Sequence, residues 1–116
     1  MTSNYKNEYG RVSINDSVIA SVASEAAMSS YGIVGLAYRN ATDGLMTLLR
    51  KENMSKGVRI ESTENGIIIH LDVVLEYGIK IGTVTQNIID TVKYRVEKII
   101  GVNVILVNVY VQGIRS

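Results

Sequence analysis

The chain has 116 residues, with 12 Lys and Arg against 11 Asp and Glu, one His and a formal net charge of +1. That length suits one domain with a real core, and a charge so near zero provides no global field to recruit nucleic acid or an anionic surface. Cysteine, proline, tryptophan and phenylalanine are absent, which excludes disulfide and thiolate chemistry, fits a reducing cytoplasm and leaves an aliphatic core edged by seven tyrosines.

The first fifteen residues are polar, include Lys6 and Arg11, and contain no apolar signal region. No window reaches the ~20 apolar residues of a spanning helix, so direct membrane insertion is not expected. Residues 1–7 are expected to be flexible. Tyr9-Gly10-Arg11-Val12-Ser13-Ile14 alternates as a short strand over 9–14, and Asn15-Asp16-Ser17 offers acceptors to the first amides of a helix over 16–29. Its apolar face carries Val18, Ile19, Val22, Ala23, Ala26 and Ala27, opposite Ser21, Ser24 and Glu25.

Gly32 ends that helix, and Ile33-Val34-Gly35-Leu36-Ala37-Tyr38 reads as a second strand. Residues 40–56 read as a mobile excursion, with a turn signal at Asn40, Thr42, Asp43 and Gly44 and a hint of helix at Leu45, Leu48 and Leu49. A hairpin follows. Asn65-Gly66 between two alternating runs signals a two-residue type I′ loop, which makes Glu64 face Ile67. Counting outward pairs Ser62 with Ile69, Ile60 with Leu71 and Val58 with Val73 on the core face. The other face pairs Thr63 with Ile68, Glu61 with His70 and Arg59 with Asp72, so opposite charges meet.

Tyr77-Gly78 closes the long strand, and Thr83-Val84-Thr85-Gln86 has the pattern of a capping box for a helix beginning near 82. Val84, Ile88, Ile89, Val92, Val96, Ile99 and Ile100 form its apolar arc, Lys98 lies at its negative end and Gly101 stops it. The last strand, 102–112, alternates. Ile105, Val107, Val109 and Val111 are assigned to the core, while Val104, Leu106, Asn108, Tyr110 and Gln112 face out. The fold class is therefore α+β: a single mixed β-sheet of about five strands with two main helices on one face, in the order β-α-β-β-β-α-β, forming one domain over 1–116. Similar spacing in the two strand-helix-strand halves needs no duplication to explain it.

No chemical constellation emerges. His70, Asp72 and Glu61 read as a cross-strand charge ladder, since a metal or acid-base site needs more convergent ligands and a concave setting. Gly78-Ile79-Lys80-Ile81-Gly82-Thr83 is not a phosphate loop, and Gly32-Ile33-Val34-Gly35 opens a strand where a KH clamp joins two helices. No catalytic, metal or cofactor residue is assigned. Two helices cannot cover both faces of such a sheet, so Val104, Leu106, Asn108, Tyr110, Ile68 and Val74 are the candidate protein-contact surface. A nucleic-acid module using Arg50, Lys51, Lys56, Lys93 and Arg95 is the alternative.

Gly10-Arg11-Val12-Ser13-Ile14, Gly32-Ile33-Val34-Gly35, Gly57-Val58, Val74-Leu75-Glu76-Tyr77-Gly78 and the closing Val107-Asn108-Val109-Tyr110-Val111-Gln112-Gly113-Ile114 together resemble the alkaline shock protein family, YloU-like, of Gram-positive bacteria. The resemblance covers about residues 8 to 114. It implies a cytoplasmic, non-enzymatic protein linked to cell-envelope stress homeostasis, with no catalytic residues or cofactor to carry over. It also implies a homo-oligomer, held in some members at the inner face of the membrane by an anchor protein, while other members are encoded beside a fatty-acid kinase.

Overall fold

The period-2 and period-3.6 patterns of the sequence both take physical form in the computed structural model, which describes residues 2–7, 10–39, 46–49 and 55–115. The elements run β1 (Thr2–Asn7), β2 (Gly10–Asn15), α1 (Asp16–Met28), β3 (Ile33–Arg39), β4 (Met46–Leu48), β5 (Val58–Thr63), β6 (Gly66–Glu76), α2 (Ile81–Ile100) and β7 (Val104–Arg115). Strand β6 organises the main sheet. Along one edge it pairs in parallel with β7 from Ile67 to Glu76. Its other edge is divided, with 66–71 antiparallel to β5 and 73–75 antiparallel to β3.

The short β4 pairs with the far end of β3, so the mixed sheet holds four long strands and a three-residue fifth. The expected α+β class stands, but the membership changes. The strand expected over 9–14 forms as β2, yet it pairs only with β1 in a separate two-stranded sheet. Both edges of β6 are already occupied, by β7 on one side and by β5 and β3 on the other. Residues 2–7, expected to be flexible, supply β2's partner. Within the excursion, Met46–Leu48 is a strand rather than helix, with Leu48 set over the bare Cα of Gly35. Residues 40–45 and 50–54 of the expected excursion lie, apart from β4, outside the described residues.

Both helices pack on one face of the sheet. Small residues in α1, Ala23, Ala26 and Ala27, are fully buried and allow close approach to the Val84, Ile88, Val92 and Val96 stripe of α2. Beneath them lie Ile67, Ile69, Leu71, Val73 and Leu75 of β6. Each such aliphatic contributes about 1.5–3 kcal/mol by leaving water. The apolar arcs are narrower than expected: Val18 and Ile99 are exposed, whereas Ser24 is buried, its hydroxyl donating to the Ser21 carbonyl at 2.9 Å.

Helix α2 begins at Ile81, so Thr83 lies inside it and the expected capping box does not form. Gln86 instead donates forward to Asp90 at 3.0 Å. At the other end Gly101, in the left-handed region at φ 84°, returns its N–H to the Glu97 carbonyl, as expected.

The hairpin register is shifted by two residues from the expected one. Thr63 pairs with Gly66, Ser62 with Ile67, Ile60 with Ile69 and Val58 with Leu71. A shift of two leaves every side chain on its assigned face. The loop residues are Glu64 and Asn65, and neither has positive φ, so the turn is not type I′. Gly66 has a different task. With φ 145° it opens β6, and a Cβ there would collide with the Asn103 carbonyl oxygen. That same oxygen accepts the Ile67 N–H at 2.9 Å, and the Asn103 side-chain amide donates to the Asn65 carbonyl at 2.8 Å.

Gly66→Ala should therefore destabilise the fold by about 2 kcal/mol or more in urea unfolding. Gly82→Ala, in the first turn of α2 with open space around it, should be neutral or stabilise by up to ~1 kcal/mol.

Candidate functional site

The site is built by three adjacent strands. On the sheet face opposite the helices, parallel pairing sets Ile68 beside Leu106, His70 beside Asn108 and Asp72 beside Tyr110. Across the hairpin, Arg59 sits directly opposite His70 and Glu61 opposite Ile68. The charge partners expected from sequence still meet, but diagonally. The Glu61 carboxylate lies 3.2 Å from His70 Nε2, and an Arg59 Nη2 lies 3.4 Å from the Asp72 carboxylate.

A second layer of contacts comes from β7. Gln112 donates to Asp72 at 2.9 Å. His70 Nδ1 lies 3.2 Å from the Tyr110 hydroxyl and 3.3 Å from the Asn108 side-chain amide. A neutral imidazole protonated at Nε2 meets these contacts, donating to Glu61 and accepting at Nδ1. The His70 and Tyr110 rings stack at 5.9 Å with 24° between planes, and the Arg59 guanidinium carbon lies 5.4 Å from the Tyr110 ring centre. Tyr110 is thus held on two sides while its outer surface stays exposed.

These contacts occupy the polar groups with one another rather than aiming them at a common point. Among the described residues no cluster of three His, Cys, Asp or Glu side chains could hold a metal ion. The arrangement suits recognition: aromatic and arginine groups fixed before binding, beside the aliphatic Ile68 and Leu106.

Two members of the expected contact surface are not on it. Val104 is core, 1 % exposed, because Ile67 pairs with Val104 and Ile68 with Leu106, which makes Ile105 the extra residue of a β-bulge. The bulge resets the alternation, so Ile105, assigned to the core, is 43 % exposed. Val74 is fully buried, between Gly35 of β3 and Gly113 of β7, opposite a second irregularity in the β6–β7 register. Leu106 and Tyr110 are exposed, and Asn108 and Ile68 half-buried. Val111 is a surface residue that alternation alone assigned to the core. The four unbroken apolar residues Val104-Ile105-Leu106-Val107 were the available sign that the alternation could change phase there.

Of the basic residues considered for nucleic acid, Lys56, Lys93 and Arg95 are exposed, and Arg50 and Lys51 lie outside the described residues. A cavity of about 290 Å³ lies elsewhere, lined by Tyr31, Ile79, Lys80, Thr83, Val84 and Asn87 near the start of α2. None of the expected contact residues lines it.

Comparison with known proteins gives a consistent picture. The model of the alkaline shock protein family, described as having a cell envelope-related function, matches residues 4–116. The chain is 44 % identical to the uncharacterized protein YloU of Bacillus subtilis (strain 168) over 116 residues, 99 % of this chain and 97 % of that protein. It is 40 % identical to the uncharacterized protein Spy1614 of Streptococcus pyogenes serotype M6 over 116 residues, 99 % of this chain and 96 % of that one. A more distant relative, the uncharacterized protein YqhY of Bacillus subtilis, is 26 % identical over 106 residues, 91 % of this chain and 78 % of that protein. No solved structure matches.

The side chain of Asp72 is 13 % exposed and that of Glu61 60 %. Asp72→Ala removes the acceptor shared by Arg59 and Gln112, and should cost about 1–2 kcal/mol in urea unfolding. Glu61→Ala should cost less than ~0.5 kcal/mol, because an exposed pair is screened by solvent.

Proposed function

Because the chain belongs to the alkaline shock protein family, with its cell envelope-related function, we propose that it acts as a non-enzymatic scaffold or adaptor through the sheet face around Leu106, Asn108 and Tyr110. The carrying observation is that this face lies opposite both helices and leaves Leu106 48 % and Tyr110 41 % exposed around a pre-paired polar network. Partners of this surface are a second copy of the chain or a protein that tethers it to the membrane. No enzymatic family is indicated by the comparisons.

No helix among the described residues is long and apolar enough to cross a membrane. The envelope link then runs through protein contact at the inner face of the membrane. Apolar burial drives such contacts, and a rigid aromatic anchor lowers the ordering cost of docking. No observation favours nucleic acid over this.

Size-exclusion chromatography with light scattering across a concentration series checks the proposal. The wild type should form a reversible oligomer at micromolar concentration, and Leu106→Glu or Tyr110→Glu should shift it toward monomer by about tenfold or more in concentration. A wild-type monomer at high micromolar concentration removes self-association. Equal recovery of wild type and both variants with native membranes would remove the tethered alternative as well.

A further inference from the structure

Strand β7 spans twelve residues, and among the described residues its one strand partner is β6. It is therefore an edge of about 40 Å. Edges of this length are normally guarded by charge, proline or a covering element. This one has no charged residue from Val102 to Ile114, and the chain has no proline.

The distribution of exposed side chains is the second observation. Leu106 and Tyr110 are exposed on the face opposite the helices, while Val111, which follows Val107 and Val109 on the helix side, is also exposed at 37 %. Ile105, the bulge residue, is exposed too. Exposed apolar side chains therefore occur on both faces of this strand, those of the outer face among them. A strand added along the edge flanks both.

We infer that β7 pairs antiparallel with β7 of a second copy, about a two-fold axis at Asn108, which joins the two sheets into one. This rests on the self-association proposed above and specifies its geometry. The occupant follows from self-complementarity. Centring the pair on Asn108 sets Leu106 against Tyr110 and Ile105 against Val111 of the other copy, and Asn108 against its own equivalent. Aliphatic thus meets aromatic or aliphatic, and amide meets amide. The charge-free stretch 102–114 gives a strongly acidic or basic partner nothing to pair with along most of the strand, and copies of net charge +1 barely repel. A single added strand is a contact at the small end of the interface range, so the dimer is reversible.

A charge-exchange experiment tests the axis. Asn108→Lys and Asn108→Glu each set like charges directly opposite one another and should raise the dimer dissociation constant by roughly tenfold or more. An equimolar mixture should recover a heterodimer, measured by light scattering. Wild-type dimers unaffected by either substitution would overturn edge pairing while leaving self-association intact. Loss without recovery in the mixture would overturn the Asn108 axis, and a wild-type monomer at high micromolar concentration would overturn both proposals. If circular dichroism shows the charged variants misfolded, Asn108→Cys decides. The chain has no cysteine of its own, so mild oxidation should cross-link this variant faster than the exposed helix control Lys93→Cys, and equal rates would refute the axis.

Discussion

The close crossing of the main chain at Asn103 over Gly66 is the constraint on which the β6–β7 half of the sheet depends. Leaving α2 at Gly101, the chain must return beside the start of β6 for a parallel strand to form. It is held there by the Asn103 carbonyl on the Ile67 amide and the Asn103 side chain on the Asn65 carbonyl. The contact is possible only because residue 66 has no Cβ. With Asn103 placed, Val104 enters the core and the register of β7 follows. That register puts Asn108 and Tyr110 within reach of His70, and Gln112 within reach of Asp72.

The two irregularities in the β6–β7 ladder decide which side chains reach solvent. A strand without a bulge after Val104 would send Leu106 to the core side along with Val104, and the face that carries the polar network would present Ile105 and Val107 instead. The extra residue at Ile105 exchanges these roles. The bulge also leaves an aliphatic side chain exposed at the sheet edge. Bulges are common at edges because they re-aim side chains and increase local twist. Here one sets both which side chains the outer face presents and the character of the edge.

Much of the fold was legible in the residues, and the failures have specific causes. Helices α1 and α2 and strands β3, β5, β6 and β7 follow periodicity and glycine stops. Asn65-Gly66 marked a hairpin, but its glycine was required by a main chain arriving at Asn103, a tertiary need that no local signal contains. The register moved by two, yet face assignment and charge partners survived because alternation has period two and long side chains reach diagonally. Val104 and Val74 failed differently. In a run such as Val104-Ile105-Leu106-Val107 every position is apolar, so alternation carries no phase. Val74 alternates correctly to the outer face but is fully buried there, paired with Gly35 of β3 and Gly113 of β7, a burial that strand alternation does not report. The family could be recognised because the residues that carry the resemblance, in β7 and at Tyr77-Gly78, are read by identity and order, which the sequence reports faithfully even when it misreports facing.

A long edge strand without charge from Val102 to Ile114 is a hazard in a globular domain, since its free main-chain groups invite unregulated pairing. Asp72 and Arg59 could not guard it, because they are spent on each other and on Gln112 one and two strands inward. A parallel strand at the end of a β-α-β crossover has a covered face beneath its helix, but nothing in that topology covers its outer edge. The edge is therefore tolerable if something specific occupies it. In a protein whose net charge is +1 and whose exposed aliphatics concentrate along one strand, the proposed pairing with a copy of that strand would supply an antiparallel partner of matching length and polarity.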